Sequence, residues 1–141
     1  MRLLHMLATV GLLTAVGVTI VDAAEPSQSS PPLLVPVTAD GVQRATVTLD
    51  SYSYTPNHLI VEAGKPVELT LTSVTTFTPH NFIIKDQAGS LSVEKDVSAG
   101  KTVTITFTPP HPGTFPIYCD KRLWPFPSHR DKGMEGKLEV R

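Results

Sequence analysis

Apolar and polar positions alternate most cleanly at Thr102-Val103-Thr104-Ile105-Thr106-Phe107, where Val103, Ile105 and Phe107 share one face and three threonines the other. A period of two marks a strand with one buried and one wet face. Similar short runs rich in Val, Ile, Thr and Phe, bounded by Gly, Pro, Asn and Asp, predict strands over 44–49, 58–62, 66–73, 80–85, 91–97, 102–108, 114–118 and 136–140. No stretch repeats its apolar positions convincingly at helical spacing. Two Ala-Gly-Lys segments, Ala63-Gly64-Lys65 and Ala99-Gly100-Lys101, each precede a predicted strand, and glycine there supplies the positive φ of a tight turn. About eight strands so spaced predict an all-β fold, an antiparallel β-sandwich of roughly 100 residues.

The first 24 residues follow another pattern. Arg2 precedes an apolar run from Leu7 to Val21, which ends at Asp22 and the small residues Ala23 and Ala24. This reads as a secretory signal over residues 1–23, with cleavage after Ala23 preferred because Val21 and Ala23 then occupy the two small-residue positions. The alternative is an uncleaved N-terminal anchor, although the run is shorter than the roughly 20 residues of a spanning helix. Residues 24–40 hold Ser27, Gln28, Ser29, Ser30, Pro31, Pro32 and Pro36, a composition suited to a flexible linker. The folded domain is then expected over 41–141, exported to the periplasm or beyond and free of the membrane once the signal is removed.

Composition changes the picture in two places. With 141 residues and a net charge of −1, the chain lacks the basic excess that nucleic-acid binders use against phosphates. It also carries one cysteine, Cys119, which in an oxidising compartment has no intrachain partner. That thiol is an inert buried group, half of an intermolecular disulfide, or a metal ligand.

The neighbourhood of Cys119 favours a metal. Cys119, His129 and Met134 all fall in one turn-rich connection between two predicted strands. A thiolate, an imidazole and a thioether from one loop, completed by a second imidazole from elsewhere, match a two-histidine, one-cysteine copper site with a weak axial methionine. His80, in Thr78-Pro79-His80-Asn81-Phe82 at the start of an apolar strand, is the candidate for that second imidazole. His58 and His111 are expected to face solvent.

These segments resemble the cupredoxins. Pro79-His80-Asn81, Tyr118-Cys119, His129 and Gly133-Met134-Glu135-Gly136 are similar to the ligand entries of plastocyanin-like and amicyanin-like members. The resemblance implies a Greek-key, cupredoxin-like sandwich and one copper ion cycling between Cu(I) and Cu(II). It implies His80, Cys119 and His129 as strong equatorial ligands and Met134 as the axial one. Asn81 is similar to the family residue that ties the two ligand loops together and helps hold the thiolate. The connection from Asp120 to Ser128 is longer than in plastocyanin-like members and contains Leu123, Trp124, Pro125, Phe126 and Pro127.

Single-electron transfer between redox partners is the leading function, without substrate turnover. The partner would be a protein such as a cytochrome or an oxidoreductase. Trp124 and Phe126 either cover the end of the domain or form the surface on which that partner docks. Two alternatives come from other classes. A metal oxidase would act on ferrous or cuprous ion and use Asp120, Asp131 and Glu135 as a transient iron site, and a copper carrier would bind cuprous ion and pass it on.

Overall fold

A computed structural model describes residues 30–141, so the predicted signal and the first part of the predicted linker lie outside the described residues. Within them ten strands and no helix form: β1 (Leu33–Leu34), β2 (Gln43–Asp50), β3 (Ser53–Thr55), β4 (His58–Val61) and β5 (Val67–Ser73) come first. Then follow β6 (His80–Lys85), β7 (Ser92–Val97), β8 (Thr102–Phe107), β9 (Gly113–Tyr118) and β10 (Glu135–Val140). One sheet has the order β1-β4-β10-β9-β6-β7 and the other β3-β2-β5-β8, which makes a β-sandwich.

Alternation decides which side chains meet between the sheets. In β5, Val67, Leu69 and Leu71 are buried while Glu68, Thr70 and Thr72 are half-covered. They face Phe82, Ile84, Ile117 and Leu138 of the other sheet in one continuous core. Each such side chain, fully buried, contributes about 1.5–3 kcal/mol. In β8 the three threonines are exposed as predicted, but only Ile105 is fully buried. The strand lies at a sheet edge, where Val103 and Phe107 remain half-covered. Gly64 and Gly100 adopt φ of 72° and 66°, the left-handed conformation expected of the two Ala-Gly-Lys turns.

The ladders are mixed. β9 pairs antiparallel with β10 and β6, and β5 with β8, but β2 runs parallel to β5, and β4 runs parallel to both β1 and β10. Parallel partners arise because the chain passes through the opposite sheet before returning, as β2 reaches β5 by way of β4. The flexible linker expected over 24–40 is corrected in its described part. Leu33 and Leu34 pair with Leu59 and Ile60, Val35 is buried and donates its N–H to Ile60 O at 2.9 Å, and Val37 bridges Gln43. Pairing with an open sheet edge outweighs the disorder-prone composition there.

Candidate metal centre

Strand order assembles the site. β9 ends at Tyr118, directly before Cys119, and Tyr118 pairs with both Ile83 of β6 and Glu135 of β10. The end of β9 therefore lies beside the starts of β6 and β10, so His80, Cys119 and Met134 arrive at one end of the sandwich. His129 comes to the same place on the loop between β9 and β10. Its N–H donates to Lys121 O at 2.9 Å, and reciprocal bonds between Ser128 and Asp131, from 2.7 to 3.1 Å, clamp the turn that carries it.

The three ligating atoms of His80, Cys119 and His129 lie within 4.8 Å of one another. Cys119 Sγ is 3.4 Å from His129 Nδ1, and the imidazole centroids are 5.1 Å apart. His80, Cys119 and Met134 are wholly buried, while His129 keeps 9% of its surface exposed and so forms the outer edge of the site. Met134 is tied to both loop ligands through its backbone. Its N–H donates to His129 O at 2.9 Å, and its carbonyl accepts from Cys119 N–H at 3.2 Å.

A metal fits these residues. Nδ1 of His80 is buried without a hydrogen-bond partner, a costly arrangement for an imidazole unless the lone pair has another use. Its other nitrogen, Nε2, sits 3.4 Å from Thr75 Oγ1, and the Thr75 hydroxyl donates to Thr78 O at 2.6 Å. That hydroxyl proton is committed, so Thr75 accepts from Nε2–H, and Nδ1 is left as a bare lone pair on a ring grouped with Cys119 and His129. Burial, and then the neighbouring His129, push the His80 pKa down to about 4. Burial and Lys132 lower that of His129 as well. Burial raises the Cys119 thiol, partly offset by the backbone N–H groups of Asn81 and Lys121. Two neutral imidazoles and a protonated thiol result, a set that a cation ionises on binding. Two nitrogens, one sulfur and a nearby thioether are consistent with a single copper ion.

Asn81 connects the parts as the resemblance implied. Its backbone N–H points at Cys119 Sγ at 3.4 Å, its Nδ2 donates to Asp120 Oδ1 at 2.7 Å, and its Oδ1 accepts from Asp120 N–H at 3.1 Å. Three contributors were not anticipated from sequence: Thr75, Tyr54 and Tyr52. Tyr54 donates its hydroxyl to Asn81 O at 2.6 Å. Tyr52, at φ 62°, sets its ring edge-on to His129 at 5.1 Å, and Lys132 Nζ lies 4.2 Å over the Tyr52 ring. The left-handed backbone of Tyr52 is the kind of local outlier that marks functional sites, but nothing in its sequence neighbourhood signals it.

The face around His129 is apolar and open. Phe77, Leu123, Trp124 and Phe126 are 90%, 74%, 83% and 56% exposed, so Trp124 and Phe126 do not cover the domain's end. A groove of about 520 Å³ runs between Tyr52, Phe77, Leu123, Phe126 and His129, with Lys121, Arg122 and Lys132 at its rim. The remote histidines are separate from this site. His111 is exposed and bonded to Ser90 Oγ at 2.8 Å, as expected of a surface group. His58 is not solvent-facing: its side chain is 14% exposed and paired with Glu139 at 3.0 Å, because β4 lies beside β10 in register.

The chain matches the family model described as Cupredoxin-like domain over residues 12–138. No curated protein matches it in sequence. Among solved structures, the metal binding domain of the Streptococcus pneumoniae D39 Cu(I) exporting P-type ATPase CopA, with Cu(I), aligns at 19% identity and TM-score 0.60. That alignment covers 79% of this chain and 96% of the other. Reduced auracyanin from Roseiflexus castenholzii aligns at 21% identity and TM-score 0.57, over 70% of this chain and 96% of that one. Auracyanin A, a blue copper protein from Chloroflexus aurantiacus, aligns at 23% identity and TM-score 0.53, over 70% and 99%. At these identities the likeness is one of fold.

Proposed function

Because the chain belongs to the cupredoxin-like domain family, we propose that it binds one copper ion through His80, Cys119, His129 and Met134 and transfers single electrons between redox partners. The observation that carries this reading is the buried, unpartnered Nδ1 of His80, on a ring grouped with Cys119 and His129. Copper held by these residues would supply a one-electron couple, and the hydrogen bonds around the donors would limit their rearrangement when it changes oxidation state. Thr75 fixes the His80 tautomer, Asn81 orients the thiolate, and the Ser128–Asp131 clamp holds the turn of His129. The barely exposed edge of His129, which shares its groove with Phe77, Leu123 and Phe126, is the entry point for electrons. Those apolar groups allow a close, partly dry approach of a protein partner. The sequence of residues 1–23 supports export by a cleaved signal and hence a periplasmic or extracellular setting.

The oxidase reading gains no support from the acids suggested for it. Asp120 is bonded to Asn81, Asp131 to Ser128 and Glu135 to Arg130, and among the described residues they form no metal-holding group. Copper carriage is the second reading, favoured by the soft sulfur donors Cys119 and Met134, which suit cuprous ion. Adding cupric ion to the protein should give one equivalent bound, intense visible absorption from the thiolate and a reversible one-electron wave. Cys119→Ser should abolish the absorption and leave the fold intact. A coloured serine variant refutes the assignment, and rapid loss of copper to a chelator in place of reversible cycling favours carriage.

A further inference from the structure

Asn81 is held at every polar group it has. Its side chain pairs twice with Asp120, its N–H points at Cys119 Sγ, and its carbonyl accepts the hydroxyl of Tyr54 at 2.6 Å. The N–H and C=O of a strand residue point toward the same edge. At Asn81 that edge is the one facing β9, where the β6–β9 ladder has already ended: its register pairs are Ile83 with Tyr118 and Ile84 with Ile117. Both backbone groups of Asn81 are thus released from the sheet, one to the thiolate and one to Tyr54.

Tyr54 reaches this carbonyl from β3, which belongs to the opposite sheet. Its ring is buried and packs edge-on against Phe82 at 5.6 Å, so the hydroxyl is delivered by a rigid side chain and shielded from water. Burial holds the phenol above its ordinary range, and it stays a donor.

We propose that Tyr54 is a positioning residue of the copper centre: by holding the Asn81 carbonyl, its hydroxyl fixes the aim of the Asn81 N–H at the thiolate and so sets the reduction potential. The proposal rests on the copper-binding reading above. A hydrogen bond to a ligating sulfur withdraws electron density from it and favours the reduced metal. Loosening Asn81 weakens that bond, strengthens thiolate donation and favours the cupric state.

The test is Tyr54→Phe, which keeps the ring and removes the hydroxyl, with Phe82→Leu as a control that alters the ring contact and keeps the hydroxyl. In copper-loaded Tyr54→Phe the ratio of cupric to cuprous protein at fixed poise should rise about three- to tenfold, tenfold being ~59 mV for one electron. The thiolate absorption should shift in position yet persist. In the metal-free variant the Asn81 amide should exchange with solvent roughly tenfold faster. Phe82→Leu, which loosens the ring contact but keeps the hydroxyl, should move the ratio by less than half as much on a logarithmic scale. An unmoved ratio in Tyr54→Phe, or an equal shift in Phe82→Leu, overturns the role of the hydroxyl. Wild-type protein lacking thiolate absorption when copper is added would instead refute the copper reading itself.

Discussion

Acidification of the metal-free protein should cost stability through His80. The imidazole is fully buried, with His129 beside it, and its pKa falls from 6.5 to about 4 in the folded state. A depressed folded value means that the native state disfavours the proton. The associated stability is present above pH 6.5 and lost as pH falls toward 4. At 1.36 kcal/mol per pH unit the whole contribution is about 3 kcal/mol, and roughly 2 kcal/mol of it disappears between pH 7 and pH 5. His129, lowered in the same direction, adds to the loss. Urea unfolding of the metal-free protein at the two pH values measures the drop. His80→Gln, which carries no titrating group, should remove most of it, whereas His58→Gln and His111→Gln should not. Unfolding free energies that agree within about 0.5 kcal/mol at pH 7 and pH 5, or a full drop in His80→Gln, would refute the reasoning.

Asn81→Ala removes two side-chain bonds, one of them to a carboxylate, and should lower the unfolding free energy by about 2–3 kcal/mol, read by urea denaturation. A change below about 0.5 kcal/mol would show that Asp120 does not rely on it. Gly136→Ala would place a Cβ 2.3 Å from the backbone oxygen of Asn57, so β10 must move away from the residue before β4. The expected loss is about 1–3 kcal/mol in the same assay, and an unchanged midpoint would contradict the close approach. Trp124→Ala and Phe126→Ala should leave copper content unchanged and weaken partner affinity by up to ~2 kcal/mol each. Reduction kinetics with the partner, compared with a small inorganic reductant, separate docking from damage to the site.

The strands that carry the ligands were legible because their signals are local. Residues 80–85 were predicted with the bounds observed, since the apolar Phe82-Ile83-Ile84 follows a proline and ends at a charge. His80, Cys119 and His129 could be grouped because they are scarce donor types in a meaningful order. β1 and β3 were missed for the converse reason. Leu33–Leu34 is embedded among serines and prolines, and Ser53–Thr55 is three residues long beside a turn. β3 closes a tight hairpin on β2 and is too short to show alternation, while the pairing of β1 is supplied by β4, far along the chain. His58 was misjudged for the same cause, its partner Glu139 being 81 positions away. Thr75 and Tyr54 are ordinary residue types whose roles depend on a neighbour brought close by the sandwich, and no local pattern marks such a role.

The connection between β9 and β10 has ends that are fixed independently of its outermost part. Tyr118 is paired with Glu135, and the bond from Cys119 N–H to Met134 O continues the ladder one step further. Residues 120–133 are therefore an excursion from a hairpin already closed beneath them, stitched internally by Ser128 and Asp131. Lengthening such a loop is cheap, since doubling it costs only about 0.6 kcal/mol in closure entropy. Natural selection can thus rewrite its outer part, Leu123 to Phe126, without loosening Cys119 or Met134. Were that outer part the docking face proposed above, the choice of partner could drift while the grip on the ion stayed constant, through changes confined to a few exposed positions.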